Sequence, residues 1–253
     1  MEPVEGAFRW FRSGEAALVI SGMGKLQAAA ATSYLHARTG EEALGVWLNV
    51  GTAGHRARPR GDVLLAHTVT DAASGERFYP TRLDGPSLEA IEVRTVDRPE
   101  TRFDSDAAYE MEAYGFHAAA LRFSTSELVQ SIKVVSDNRE TTTAAWTAAA
   151  VRELLSSRVE DIAAAAERFR EIAEDLAPLR RDREETAALV DVYRRRARFT
   201  TSETRRLKRL LRRWAALEPG APIRPESAEG ASAADLLERL ERRLDTLATE
   251  RRP

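Results

Sequence analysis

The sequence predicts an α/β domain followed by an all-α C-terminal extension, and three observations lead to this prediction. In residues 1–150, short apolar runs that end at glycine or polar residues alternate with alanine-rich stretches, as in a mixed, mostly parallel sheet flanked by helices. After Thr141 the strand signals stop and only helical periodicity continues. With 253 residues, 43% of them hydrophobic, the chain is long and apolar enough to bury such a core.

The elements of the first part follow from local composition. Six apolar, β-favouring runs predict strands at Ala16–Ser21, Leu44–Val50, Asp62–Thr70, Glu76–Tyr79, Ala90–Val96 and Gln130–Val135. A helix is predicted at Lys25–Arg38, which is rich in alanine and has no glycine or proline. A second helix is predicted at Asp106–Leu121, with Asp104 or Ser105 as its N-cap.

Residues 151–253 read as an arginine-rich helical extension that begins within a helix at 144–156. Further helices are predicted at Val159–Ala177, where Pro178 should end the helix, and at Arg183–Arg198. Thr201 is the expected N-cap of a helix at Glu203–Leu217. Residues 219–231 are rich in proline and glycine and predict a linker, after which Ser232 caps a last helix with a leucine stripe.

Composition excludes several kinds of protein chemistry. The chain has no cysteine, so disulfides, thiolate metal sites and cysteine nucleophiles are excluded. Its four histidines show no metal-ligand spacing, and neither a metal nor another cofactor is expected. No apolar run reaches the roughly 18 residues that span a bilayer, and the first ten residues lack the apolar segment of a secretory signal. We therefore expect a cytoplasmic protein with no membrane partner.

Polar and glycine residues follow three of the predicted strands, at Ser21–Lys25, Gly51–Gly54 and Ser136–Asn138. In open α/β sheets, ligands bind at such strand ends. Taken singly, each segment also fits a tight turn, a helix cap or a solvated face. The predicted second helix adds Glu110–Glu112 in an apolar surrounding, so at least one of these glutamates should point inward and need a partner or a ligand.

In combination and in this order, five segments resemble the nucleoside phosphorylase superfamily, which includes methylthioadenosine/adenosylhomocysteine nucleosidase. The five matching segments are SGMGK at 21–25, NVGTAG at 49–54, RGDVLLA at 60–66, YEMEAYG at 109–115 and KVVSDN at 133–138. The resemblance covers residues 16–150 or so and implies a shortened form of that fold. It also implies cleavage of the N-glycosidic bond of a purine nucleoside, a small-molecule substrate.

On the base side, the resemblance assigns the general acid to Asp137, which would protonate the leaving purine at N7. A carboxyl group can do this near neutral pH only if burial or a neighbouring charge raises its pKa. Ser136 lies beside it, and Lys133 stands where many nucleosidases have an arginine, so both are expected to act on the base side or to tune Asp137.

On the sugar side, the resemblance assigns the ribose hydroxyls to Glu112, whose negative charge would also stabilise the developing oxocarbenium ion. Met111 would pack against the sugar. Thr52 and Gly51 would supply a hydroxyl group and backbone donors around the ribose or the attacking group.

The sequence departs from the superfamily pattern in two places. Only about 15 residues precede the first recognised strand, and their acids, Glu2, Glu5 and Glu15, lack the usual sequence context of a glutamate that activates water. Thr95–Arg98 has an arginine where the pattern has an aromatic residue that stacks on the base. Hydrolysis and phosphorolysis, with phosphate as co-substrate, both remain open, and so does a nucleoside-binding module without turnover.

The tail leaves a further alternative, an accessory protein that acts on nucleic acid. Ten basic residues lie between Arg194 and Arg213, which fits a phosphate-binding surface. We favour a solvated helix face, because acidic residues on neighbouring helices can pair with the arginines. A homo-oligomer is expected, with a dimer favoured.

Overall fold

The computed structural model describes residues 2–4, 6–39, 45–82, 88–140, 147–217 and 231–250. The chain forms two compact units, 1–174 and 175–253, and the boundary between them falls inside a long helix. No helix among the described residues combines the length and apolarity that a membrane span requires.

A small antiparallel sheet opens the first unit. Its strands are β1 (Glu2–Val4), β2 (Trp10–Ser13) and β3 (Ala16–Val19), in the order β1-β2-β3. The strand predicted at Ala16–Ser21 is thus present but ends two residues earlier. Gly14, at the turn between β2 and β3, has a φ of 56°, a left-handed conformation that costs glycine little.

The main sheet is six-stranded and mixed. Its strands are β4 (Trp47–Gly54), β5 (Val63–Asp71), β6 (Arg77–Phe78), β7 (Glu89–Thr95), β8 (Ala107–Glu110) and β9 (Val129–Asp137). The order is β6-β5-β7-β8-β4-β9, and β5 also pairs with β9, so five strands close into a ring. The described strands make three parallel pairings (β4–β9, β5–β7, β7–β8) and three antiparallel ones (β4–β8, β5–β6, β5–β9). The mixed sheet is confirmed, whereas a parallel majority of strand pairings is not.

Helices cover both faces of this sheet. Helix α1 (Lys25–Thr39) and helix α2 (Ala113–Ala120) lie on one face, where Val129 of β9 packs with Ala28 and Phe116. On the other face, Ile132 of β9 packs with Phe169 of helix α4 (Val159–Arg196). Because side chains alternate along a strand, residues 129, 131, 133 and 135 of β9 lie on the face that α1 and α2 cover, and residues 130, 132 and 134 lie on the other face. The register shifts after Val135, so this alternation does not extend to Asp137.

The helix predicted at Asp106–Leu121 is wrong in its first half. Residues 107–110 form β8, which pairs in parallel with β7, and all four are buried. Alanine favours a helix, but propensity is a weak preference and pairing inside a sheet overrides it. Helix α2 therefore begins only at Ala113, and Glu110 ends a strand.

The other predicted strands, and helix α1, are present with shifted ends. The largest shift is at β4, which continues through Gly51 and ends at Gly54, because it pairs with β9 along its whole length. The first part of the strand predicted from Leu44 lies outside the described residues.

The second unit consists of helices in its described part. Helix α3 (Ala148–Ser156) lies in the first unit, and helix α4 (Val159–Arg196) runs from the first unit into the second. The predicted break before Pro178 is wrong, because the helical backbone continues through the proline despite its missing N–H group. Helices α5 (Thr201–Leu217) and α6 (Ala233–Glu250) follow.

The caps of α5 and α6 can be compared with the sequence prediction. The N-cap of α5 is Thr200, not Thr201, because the Thr200 hydroxyl accepts from the Glu203 N–H while the Glu203 carboxylate accepts from the Thr200 N–H. Ser232 caps α6 as predicted, through the same reciprocal pair with Asp235. Most of the predicted linker at 219–231 lies outside the described residues.

These two helices enclose the core of the second unit, together with the last turns of α4. Its buried members are Val190, Tyr193, Leu207, Leu210, Leu211, Trp214, Leu236, Leu237, Leu240 and Leu244.

Candidate active site

Strand β4 brings the predicted site segments together. It lies between β8 and β9, with Gly54 opposite Tyr109 on one side and opposite Asp137 on the other. Since β8 runs antiparallel to β4, the residues that follow Tyr109 lie beside the residues that precede Gly54. The Glu110–Glu112 segment and Asp137 therefore flank the second half of β4 from opposite sides.

A buried ion pair lies beside the Glu110–Glu112 segment. Lys133 Nζ lies 2.8 Å from Glu110 Oε2, and each side chain is only 1% exposed. Burial by itself would raise the pKa of Glu110, but the Lys133 charge and the hydrogen bonds from Lys133 and Thr95 bring that pKa below its ordinary value. Lys133 is opposite Gly51 in the strand register, and a Cβ on Gly51 would be 3.4 Å from the ammonium.

Glu110 also organises the turn from β8 into α2. Its Oε2 accepts hydrogen bonds from the N–H groups of Glu112 (2.9 Å) and Ala113 (2.8 Å), and its Oε1 accepts from the Thr95 hydroxyl at 2.5 Å. The prediction that one of the two glutamates points inward is confirmed for Glu110. The sequence predicts that Lys133 tunes Asp137, but in the structure Lys133 is the partner of Glu110. The reason is that the Lys133 side chain lies on the face of the sheet where the Glu110 carboxylate also lies.

Glu112 occupies the N-cap position of α2 and not the face of a helix. Its Oε1 accepts from the Gly24 N–H at 2.7 Å, and its Oε2 has only a long contact of 3.4 Å with the Met111 N–H. Both Met111 and Glu112 are half-buried. Glu112 Oε2 therefore retains capacity to accept hydrogen bonds from a ligand.

The SGMGK segment forms the turn that brings Gly24 to Glu112. Gly22 and Gly24 have φ values of 79° and 100°, so both need the freedom of glycine. The next residue, Lys25, lies 2.8 Å from an Asp71 oxygen and 2.9 Å from an Asp97 oxygen. Its hydrogen bonds to Asp71 and then to Asp97 raise the pKa of Lys25. Lys25 is therefore a partner of carboxylates in this structure.

Thr52 and Gly51 are neighbours in β4 and therefore point to opposite faces of the sheet. Ala53 packs in one cluster with Val135 and with Ala113 of α2, so it lies on the face of the sheet that α2 covers. Gly51, two residues earlier, lies on this face as well, together with Lys133, whereas the Thr52 side chain points to the other face. Thr52 is thus close to Gly51 along the chain but separated by the sheet from the Glu110–Lys133 pair.

Asp137 lies on the other side of β4, at the end of β9. Its carboxyl group is half-buried, and burial raises its pKa, while the hydrogen bond from Ser136 partly offsets this effect. The Ser136 hydroxyl contacts both Asp137 Oδ1 and the Ala53 carbonyl oxygen, the latter at 3.2 Å. A protonated Asp137 can therefore donate to Ser136, which in turn donates to Ala53.

Two residues beside Asp137 were missed by the sequence analysis. The Phe103 ring packs against Gly54, where an added Cβ would meet the ring at 2.5 Å and Asp137 Oδ2 at 3.0 Å. Phe103 has a φ of 48°, which is unusual for a bulky residue, and Arg139 holds its carbonyl oxygen at 2.9 Å. No sequence signal indicates this position, because the contact depends on a loop that folds over the end of β4.

His55 is the second missed residue, and it follows the GTAG segment directly. The backbone N–H of His55 donates to the backbone carbonyl oxygen of Asp137 at 2.9 Å. Its Nδ1 accepts from the N–H groups of Ala57 and Arg58, and burial and then the Arg58 charge lower its pKa. The imidazole is therefore neutral, with its proton on Nε2, and it fixes the backbone beside Asp137.

Two of the residues at which the sequence departs from the superfamily pattern, Glu15 and Arg98, lie in the β2–β3 turn and after β7. Glu15 is exposed in the turn between β2 and β3, and Glu5 lies outside the described residues. In the Thr95–Arg98 segment, Thr95 is buried against Glu110, whereas Arg98 is exposed. Among the described residues, no group of three or more histidine or acidic side chains is arranged to hold a metal ion.

The chain was compared with known families, curated proteins and solved structures. No family model matches it, and no curated protein matches it. The similar structures include 5′-methylthioadenosine/S-adenosylhomocysteine nucleosidases from Colwellia psychrerythraea (20% identity, TM-score 0.48, covering 66% of this chain and 85% of that one) and from Campylobacter jejuni (13%, 0.46, 69% and 90%). Another is the nucleosidase from Neisseria meningitidis, in complex with methylthio-immucillin-A (19%, 0.45, 66% and 86%).

Proposed function

We propose that this protein cleaves the N-glycosidic bond of a purine nucleoside, with Asp137 as the general acid and Glu112 as the ribose ligand. The observation that carries the proposal is the half-buried carboxyl group of Asp137, because burial raises the pKa of this group. Asp137 ends β9, and β4 lies between β9 and the strand β8 that precedes Glu112. An acid of this kind keeps its proton to higher pH than an exposed aspartic acid and can transfer it to a leaving base.

In the proposed reaction, Asp137 donates its proton to N7 of the purine as the bond between C1′ and N9 breaks. The bonding electron pair leaves with the base, and positive charge develops on the sugar. Water or phosphate then attacks C1′ and releases a proton, so that one nucleoside gives one free base and one sugar or sugar phosphate.

Glu112 supports the sugar side of this reaction. The Gly24 N–H fixes one carboxylate oxygen, which leaves the other for the ribose hydroxyls and for the developing positive charge. Met111 precedes it on the same half-buried turn and would lie against the ribose. Behind this turn, the Glu110–Lys133 pair holds the backbone of residues 112 and 113 in place.

The test is release of free base from methylthioadenosine, adenosine and inosine, each with and without phosphate. We expect release from at least one nucleoside, and we expect Asp137→Asn to lower kcat at least about 100-fold, since that is the low end for a general acid. The exposed Asp161→Asn variant is the matched control and should keep the wild-type rate. Phosphate dependence distinguishes phosphorolysis from hydrolysis.

The pH dependence supplies a second readout. Because Asp137 must be protonated to act, the rate should fall as pH rises through its raised pKa, and Asp137→Asn should lose that limb of the profile. Absence of base release from every nucleoside, with and without phosphate, would contradict the proposal.

A further inference from the structure

Helix α5 carries six basic residues that fall into two groups. Arg206 and Arg213 face α6, where Arg206 pairs with Glu241, and Arg213 Nη2 lies 2.9 Å from Asp245 Oδ1. The other four are exposed: Arg205, Lys208, Arg209 and Arg212. We call these four residues the basic stripe. Helix pairing therefore accounts for only two of the six positive charges.

The basic stripe has the spacing of a single helix face. Its members are at positions i, i+3, i+4 and i+7, so they lie along one side of α5 over about 10 Å. None of the four forms an ion pair or hydrogen bond with the rest of the described chain. The one acidic residue of α5, Glu203, is engaged in the N-terminal cap with Thr200.

The arrangement is unfavourable for the helix itself. Like charges three and four residues apart on one helix face repel one another. Packing does not require these side chains, because the buried apolar face of α5 consists of Leu207, Leu210, Leu211 and Trp214. The charges therefore fit an external anionic partner better than a role in folding.

The chemistry of the basic stripe favours nucleic acid over a lipid surface. A helix that lies on a membrane inserts an apolar face beside its cationic one, but the apolar face of α5 is already buried in the core of its own unit. Three of the four residues are arginines, whose planar guanidinium groups match phosphate oxygens in a bidentate manner. Duplex DNA presents one charge per about 1.7 Å of axis, so a stripe of this length can meet four phosphates.

We propose that the basic stripe of α5 binds the phosphate backbone of nucleic acid. This function is separate from nucleoside cleavage, because the stripe lies in the second compact unit and uses none of the residues assigned to the candidate active site. Either proposal can therefore fail without affecting the other.

The test measures fluorescence anisotropy of a fluorescein-labelled 24-base-pair DNA duplex with the full chain, between 50 and 200 mM NaCl. Four phosphate contacts predict that log K falls with log salt concentration with a slope of about −3.6, which is about a 150-fold loss over this range. The variant R205Q/K208Q/R209Q/R212Q should bind at least about tenfold more weakly at 100 mM salt and lose most of this slope.

Matched variants distinguish position from total charge. R205Q/R209Q should reduce the magnitude of the slope by about 1.8, whereas R206Q/R213Q, which removes the same charge from the α6-facing side, should leave the slope unchanged. R205K/R209K/R212K keeps the charge and should keep the slope. If the fourfold variant proves unfolded by circular dichroism, R205Q/R209Q gives the answer.

Three outcomes overturn the proposal. They are no DNA binding by the full chain at 50 mM salt, an unchanged slope in R205Q/R209Q, and an equal loss in R206Q/R213Q. In the first case, binding to phosphatidylcholine/phosphatidylserine vesicles would identify a lipid surface as the partner.

Discussion

At the scale of single residues, the Glu110–Lys133 ion pair of the candidate site is the one expected to matter most for stability. Both side chains are almost completely buried, so each depends on the other for compensation of its charge. Glu110 also accepts from two backbone N–H groups and from Thr95, which leaves little of its hydrogen-bonding capacity unused. Removal of one partner would leave an uncompensated charge at the start of α2.

We predict that Lys133→Met lowers the free energy of unfolding by about 3–5 kcal/mol, the usual effect of breaking a buried pair. Urea denaturation at pH 7 measures this loss. Because the pKa of Glu110 is below its ordinary value, its stabilising contribution is present above the unfolded-state pKa and is lost as pH falls through the folded-state pKa. Since protonation of Glu110 removes the uncompensated charge, the destabilisation caused by Lys133→Met should become smaller as pH falls.

Two further variants test the pairing itself. Glu110→Gln/Lys133→Met should recover part of the stability, since neither charge then remains buried. Arg213→Met, which breaks a largely exposed pair, should cost no more than about 1 kcal/mol. A loss in Lys133→Met as small as that in Arg213→Met would contradict the prediction.

Among elements, the contact between α1 and α2 depends on one glycine. A Cβ at Gly115 would lie 1.8 Å from the Lys25 carbonyl oxygen, a backbone atom of the first residue of α1. This close approach sets how the start of α1 meets α2, and with it the Gly24–Glu112 hydrogen bond. The glycine therefore serves helix packing in a position where helix propensity would favour alanine.

We expect Gly115→Ala to destabilise the protein by about 3 kcal/mol or more, because backbone atoms on both sides would have to move. The gain in helix propensity, about 1 kcal/mol, is too small to offset this cost. Thermal or urea unfolding is the measurement, and Gly51→Ala, whose Cβ would meet only the Lys133 ammonium at 3.4 Å, is the control. Equal stability of the two variants would rule out the packing role.

For the whole molecule, ligand binding and folding are linked, because a site assembled from several strands exists only in the folded state. Glu112 follows β8, Asp137 ends β9, and Gly24 precedes α1. A nucleoside that contacts these residues therefore adds its binding free energy to the stability of the folded chain.

We predict that the preferred nucleoside, at 100 times its Kd, stabilises the protein by about 2.7 kcal/mol. Calorimetric unfolding with Asp137→Asn protein, which should turn substrate over slowly, measures the shift in Tm. Adding Glu112→Ala should abolish most of the shift, whereas adding Arg213→Gln in the second unit should leave it intact. A full shift in the Glu112→Ala protein would remove this residue from the binding site.

Much of the fold and part of the candidate site could be predicted from local sequence. Strands β4, β5 and β9, helix α1 and the cap at Ser232 have signals within a few residues of themselves: apolar runs, glycines and a capping pair. The order of the five motifs likewise indicated Asp137 and the Glu110–Glu112 segment. These features are local because hydrogen bonds and burial along one strand or one helix turn set them.

Tertiary structure alone decided the rest. Residues 107–110 became a strand because β7 and β4 offered backbone partners, and Lys133 became the partner of Glu110 because the sheet register placed them on one face. The contact of Phe103 with Gly54 has the same origin. Strand pairing and the compensation of buried charge join residues far apart in the chain, so no local pattern of residue types can encode them.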